Sequence, residues 1–285
     1  MASRSLRLLL CGIGALLLSR PVSASGHGPV FGGATPTLGK GGWSFDQAWM
    51  GSHARNGEDD QVLRSMIGFG LTKDLQVTVS LPIGLSSGPH APMGRMTAMM
   101  SSSREAEALV GWRFHRQDVG TGARFESTVY AGGAVPTSSS SGGFRTAPSG
   151  YVSVASGYAS RAHYFWTAAS YQRRGDDVGD HLGNVKSLSI VYGYRPAVLR
   201  VDYPKPDLRF FVEAVAETTG SPRRGGVAIA PAGRSVFAGP TTLLLYKQYG
   251  VSGGVLFPVS QRTREQEPEE RVRFTVNFSY FFWLK

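Results

Sequence analysis

The chain has 285 residues, 41% of them apolar, with 30 Lys and Arg against 20 Asp and Glu, a net charge of +10 and one cysteine. A basic balance of this size points to nucleic acid only when the charges run together or interleave with aromatic side chains, and neither pattern occurs. Beyond the N-terminal leader no apolar stretch reaches the roughly 18 residues of a spanning helix, so any membrane crossing falls to strands.

The chain begins with Arg4 and Arg7 ahead of the apolar run Leu8 to Leu18, followed by Val22-Ser23-Ala24. A basic start, a short apolar run and small residues at a cleavage point describe a secretory signal peptide, residues 1–24. Cleavage after Ala24 removes Cys11 and three arginines, leaving 261 residues, no thiol and a charge of +7. Gly26 to Gly42 (GHGPVFGGATPTLGKGG) is turn-rich and has no period. Residues 25–42 therefore read as a flexible periplasmic lead-in, and 43–285 as one domain.

From Trp43 the pattern changes to period two, in which successive side chains take opposite faces of a strand. Trp43, Phe45, Gln47 and Trp49 alternate with Ser44, Asp46, Ala48 and Met50. Gln61 to Leu71 sets Leu63, Ile67 and Phe69 against Arg64 and Met66. After the turn Thr72-Lys73-Asp74 comes the cleanest alternation, Leu75, Val77, Val79, Leu81 and Ile83 against Gln76, Thr78, Ser80 and Pro82. Further strands are expected over Glu105 to Phe114, Ala123 to Val135, Tyr151 to Tyr158, His163 to Gln172, Asn184 to Arg195, Leu208 to Thr218, Ser235 to Lys247 and Tyr249 to Pro258. Ser235 to Lys247 fits least well, because Pro240 removes a ladder hydrogen bond. The final strand, Arg271 to Leu284 (RVRFTVNFSYFFWL), puts Val272, Phe274, Val276, Phe278, Tyr280, Phe282 and Leu284 on one face and a mostly polar set on the other.

Twelve strands joined alternately by short turns and longer loops predict an all-β fold, a closed antiparallel barrel in the outer membrane of a Gram-negative bacterium. Closure removes the edge that a terminal strand would otherwise present. The soluble alternative is a secreted sandwich or lipocalin-like barrel, whose strands are usually fewer and shorter. The segments HGPVFGG and GKGGWSFDQAW, the length, the strand spacing and the aromatic last strand resemble the outer-membrane β-barrel family named for a phenol-degradation meta-pathway protein, also described as transporter-like. The resemblance covers essentially the mature chain, includes no catalytic motif, and implies a channel for hydrophobic or aromatic solutes. One departure is the last residue, Lys285, in place of the aromatic that commonly ends such barrels.

By parity the inner face gathers Asp46, Arg64, Glu107, Arg113, Arg124, Glu126, Arg209, Glu213, Glu217, Arg271 and Arg273, and Phe211, Phe281 and Trp283 add ring surface. Charges of both signs facing inward require either a water-filled lumen or one closed by ion pairs. An open lumen makes a channel for small solutes, and Arg124, Arg209, Arg271 and Arg273 would concentrate anionic or aromatic ones. A closed lumen makes a structural or scaffolding barrel. The enzyme alternative is a lipid-modifying hydrolase, for which His163 with Ser156 or Ser170 is the candidate relay, although no Asp or Asn completes it. Between the third and fourth strands, His90, Met93, Met96, Met99 and Met100 carry the soft donors that favour Cu(I), which makes a copper-handling barrel a further alternative. The plainer reading of those methionines is an apolar loop that fills an irregular gap. The expected partners are outer-membrane lipid and lipopolysaccharide and a small-molecule solute, not nucleic acid.

Overall fold

The computed structural model describes residues 28–57, 59–85, 105–137, 140–141, 144–200, 205–262 and 269–284. The signal peptide and the five candidate copper ligands His90, Met93, Met96, Met99 and Met100 lie outside the described residues.

Twelve antiparallel strands form one closed barrel. They are β1 (Gly42–Ala54), β2 (Asp59–Gly70), β3 (Leu75–Gly84), β4 (Glu105–Gly120), β5 (Ala123–Pro136), β6 (Ser149–Ala159), β7 (His163–Arg173), β8 (Val185–Tyr194), β9 (Asp207–Thr219), β10 (Gly233–Tyr246), β11 (Tyr249–Arg262) and β12 (Glu270–Trp283). Each pairs with its sequence neighbour, and β12 returns to β1, placing Trp43 opposite Phe282 and Ser52 opposite Arg273. No strand edge is left open, so every backbone polar group of the wall can be satisfied inside the sheet.

The period-two pattern sorts side chains between two media. Ile67 is 51% exposed and Leu81 56%, on the outer surface, whereas Arg64 and Glu213 are fully buried on the inner one. This inversion of the soluble arrangement suits a wall surrounded by hydrocarbon. Phe165, Tyr192, Tyr194, Phe210, Tyr246 and Tyr249 are exposed near one end of the barrel, the depth at which rings with a polar edge meet headgroups. At that end lie both ends of the barrel sheet, Gly42 and Trp283, and the short β2–β3, β4–β5, β6–β7 and β10–β11 turns. It is the periplasmic end.

Two strands differ from the sequence expectation. β4 continues past Phe114 to Gly120, with register shifts between Arg113 and His115 and between Asp118 and Gly120, and residues 115–120 are exposed as the hairpin projects past the rim. Pro240 lies inside β10, and the β10–β11 ladder skips it: Ala238 pairs with Phe257 and the next pair is Thr241 with Gly254, in unchanged register. The missing N–H thus costs a local gap and not the strand.

At the opposite end, longer connections carry small hairpins of their own, Ser140–Ser141 with Phe144–Arg145 and Arg223–Arg224 with Val227–Ala228. Asp180, in the β7–β8 connection, accepts the backbone N–H of Arg145 at 3.2 Å and of Gly225 at 3.0 Å, tying both hairpins to one carboxylate. Those two N–H bonds hold its pKa below the ordinary aspartate range.

The largest correction concerns the lead-in. Residues 28–41 do not trail in the periplasm but run inside the barrel. Gly41 N–H donates to Gly70 O at 2.8 Å at the periplasmic mouth, and from there the segment climbs until Val30 and Phe31 join a luminal apolar cluster with Ala48, Met50, Val62, Met66, Val215, Phe237 and Leu256. Gly70 permits the close approach, because a Cβ there would stand 2.1 Å from Gly39 O.

Candidate functional site

The candidate site is the lumen, and it has three layers. At the periplasmic mouth, Arg113 on β4 donates to Asp74 at 2.8 Å and to Glu126 at 2.9 Å, and Arg124 lies 3.1 Å from the same Glu126 carboxylate. Across the mouth, Asp207 takes Arg195 at 2.9 Å and Arg209 at 2.6 Å. The Arg209 guanidinium also lies 5.0 Å from the Tyr164 ring centroid. Trp283 is half-buried and donates from Nε1 to Lys40 O at 3.1 Å.

The middle layer holds the luminal segment. The Glu213 carboxylate accepts three successive backbone N–H groups, Val30 at 2.7 Å, Phe31 at 2.8 Å and Gly32 at 2.7 Å, and the Thr241 hydroxyl at 2.5 Å. Consecutive N–H groups converging on one anion form a concave donor site, here turned toward a side chain of the same chain. Lower down, Thr35 is fully enclosed: its Oγ1 donates to Glu126, it accepts Trp166 Nε1 at 3.2 Å, and its carbonyl accepts the Thr128 hydroxyl. Tyr130 donates to Ala34 O at 3.1 Å, and Leu38 N–H to Gln76 Oε1 at 2.8 Å. Elsewhere in the lumen, Asp46 accepts Ser279 and Asn277, while Arg64 donates to Ser80 at 3.0 Å and lies 3.9 Å from Glu107.

Toward the outer end, Arg273 donates to Glu217 at 2.9 Å and to Glu270 at 2.7 Å, with its guanidinium 3.8 Å from the Phe237 ring centroid. Arg271, two residues earlier on the same parity, is exposed at the rim and does not line the buried lumen. Phe211 is buried in the wall against Tyr164 and Trp166, and Phe281 is also buried. Between the segment and β6–β8 remains a cavity of about 20 Å³, lined by Phe31, Gly33, Tyr151 and Ser153, Ser170, Ser187 and Ser189 among others.

The proposed hydrolytic relay is not assembled. His163 is exposed at the periplasmic end with Nδ1 at 3.0 Å from Tyr192 OH. Ser156 bonds Ser127 at 2.8 Å, and Ser170 bonds Ser187 at 2.6 Å. Ser156 stands opposite Thr167, four residues along β7 from His163, or about 13 Å.

No family model and no curated protein matches the chain. Among solved structures, an outer membrane channel from Pseudomonas putida F1 superposes with a TM-score of 0.59 at 12% identity, covering 89% of this chain and 100% of that one. The chain has the fold of an outer-membrane channel barrel. The NanC porin gives a TM-score of 0.46 at 8% identity, over 84% of this chain and 98% of that one. Pseudomonas aeruginosa OpdQ gives 0.41 at 11% identity, over 80% of this chain and 58% of that one.

Parity assigned Arg271 to the inner face although it is exposed at the rim, and it did not mark the residues that hold the luminal segment. Thr128, Tyr130, Trp166 and Thr241 are individually unremarkable in sequence. The available signal was Trp166, which shares a strand with outward Phe165 and so points a bulky ring into a polar lumen.

Proposed function

We propose that this barrel is a gated outer-membrane channel for small polar solutes and that residues 28–41 are its gate. The observation that carries the reading is how the segment is held. It forms no strand pairing with the wall and is retained by hydrogen bonds, foremost the three N–H groups on Glu213. The segment is held at separate points, by these bonds and by the packing of Val30 and Phe31, and not by a continuous ladder, so it can be displaced without opening the wall. With the segment seated, the cavity of about 20 Å³ beside it accommodates a water molecule and not a solute. In this reading, passage between the segment and β6–β8 needs the segment to move.

The sequence suggested anionic or aromatic solutes. Arg273 faces Glu217 and Glu270, Arg113 and Arg124 share Glu126 with Asp74 beside them, and Arg209 shares Asp207 with Arg195, so their fields are partly cancelled. This supports uncharged polar solutes over anions. Phenols, which the family resemblance would add, fall in the uncharged class. The second reading, a structural barrel with a closed lumen, is favoured by the same compensation of charge.

Single-channel recording and liposome swelling with a sugar, acetate and phenol separate the two. The mature protein should show low or flickering conductance, and a variant lacking residues 28–38 should admit the sugar and phenol readily. A segment-deleted barrel that is folded by heat-modifiable mobility yet impermeable to all three would leave the structural reading standing.

A further inference from the structure

The outer face carries a feature the lumen does not use. Following the hydrogen-bonded register across the wall, Tyr171 on β7 stands opposite Lys186 on β8, Lys186 opposite Thr218 on β9, Thr218 opposite Arg234 on β10, and Arg234 opposite Arg262 on β11. Residues opposed in a sheet share a face, and this face is the outer one. Lys186 has the parity of outward Leu188 and Ile190, and Lys186, Thr218, Arg234 and Arg262 are all exposed. Arg173, two residues beyond Tyr171 and also exposed, is the diagonal neighbour of Lys186. The row spans five strands, about 19 Å at the usual interstrand spacing.

Three observations give this row a ligand. The first is its height. The next row toward the periplasm is Ala169, Leu188, Ala216, Val236 and Ser260, so the basic row lies about 7 Å past an apolar band, where hydrocarbon gives way to headgroups. The second is the direct opposition of Arg234 and Arg262. Like charges placed opposite each other destabilise a sheet unless an anion lies between them. The third is the lack of compensation. Arg173, Lys186, Arg234 and Arg262 make no ion pair among the described residues, and no described residue of the row is acidic. On another part of the outer rim, by contrast, His53 is matched by Asp59 and Arg55 by Glu269.

We infer that Arg173, Lys186, Arg234 and Arg262 form a binding site for a diphosphorylated, acylated disaccharide of the outer leaflet. The Arg234–Arg262 pair holds one phosphate and Lys186 with Arg173 the other. The two basic points, Lys186 and Arg234, stand two strands apart, about 10 Å, with Thr218 between them to donate to the sugar. Arginine forks bind phosphate oxygens bidentately, while the acyl chains lie on Leu188, Ala216 and Val236 below. The inference rests on the outer-membrane placement with the long loops outward and is independent of whether the lumen conducts.

Native mass spectrometry of the folded barrel in detergent tests it, using one acylated disaccharide in diphosphorylated, monophosphorylated and phosphate-free forms, with inorganic phosphate as competitor. The parent should retain the diphosphorylated form at least about tenfold over the phosphate-free form. Arg234→Gln with Arg262→Gln should lower that retention about thirtyfold, since each basic residue removed weakens the headgroup attraction. Arg161→Gln, at a periplasmic turn, should change nothing. Equal retention of the three forms by the parent, a measurement that needs no variant, would overturn the site. So would unchanged retention by the double variant with heat-modifiable mobility intact. Displacement of the lipid by equimolar inorganic phosphate would reduce the row to a simple anion site and overturn the glycolipid assignment.

Discussion

Glu213 on β9 and Gly32 in the luminal segment meet carboxylate to backbone N–H at 2.7 Å, across 181 residues of sequence. With Val30, Phe31 and Thr241 contributing three more donors, this one side chain fixes the upper end of a segment whose lower end is held by the backbone bond from Gly41 N–H to Gly70 O. A carboxylate buried in a lumen needs compensation, and here it comes from backbone donors of the segment and one hydroxyl rather than from a guanidinium. The segment and the carboxylate it solvates are therefore coupled, because displacing the segment exposes Glu213 to water.

Glu213→Gln should loosen the segment without opening the wall. The amide keeps one acceptor oxygen but loses the charge that strengthens each N–H bond, and a destabilisation of about 2 kcal/mol is expected. Faster protease cleavage within residues 28–41, at unchanged heat-modifiable mobility, is the readout. Cleavage at the parent rate would show that Glu213 does not hold the segment.

Gly32→Leu should expel the segment by sterics. A Cβ at this position would lie 2.5 Å from Val191 Cγ2, and Val191 is fully buried in the wall. Trp166, 2% exposed and bonded to Thr35, reports the event. Its emission should shift to the red in a protein whose other four tryptophans are replaced by phenylalanine. An unshifted spectrum would mean that the segment repacks in place.

Arg273→Met should be the most damaging of these substitutions to stability. It leaves the buried Glu217 carboxylate and the partly buried Glu270 without their guanidinium, and removing one partner of a buried ion pair costs about 3–5 kcal/mol. The triple change Arg273→Met, Glu217→Gln and Glu270→Gln should recover most of the loss. Thermal unfolding in detergent measures both. A single variant as stable as the parent would indicate that water compensates the carboxylates.

The external hairpins should stay tied through mild acid. Asp180 has its folded pKa lowered by the Gly225 and Arg145 N–H bonds, so its contribution is complete above the unfolded value and is lost as pH falls through the lower folded one. In an amide-resonance titration the Gly225 and Arg145 signals should move together, with a midpoint below the ordinary aspartate range. Asp180→Asn should abolish the transition. Independent midpoints for the two amides would break the shared latch.

The sequence by itself determined the barrel wall. Whether a residue points to lipid or lumen depends on strand parity, a local property, so Ile67 against Arg64 and Val77 against Thr78 were legible from neighbouring letters. The weaker strands followed because closure demands a partner for each edge, and even Pro240 could be accommodated by two missing pairs. Only the tertiary structure decided what fills the wall. GPVFGGATPTLGKG has no period, and its partners Glu126, Tyr130, Trp166 and Glu213 lie 91 to 183 positions away, so nothing local marks it as luminal. Pairing among the charges was equally hidden, since Arg273 finds Glu217 only when the wall curves and brings β12 within reach of β9, three strands away. The basic row on the outer face depends on the register of five strands. Parity gives each residue its side of the wall, but only the ladder gives it a height.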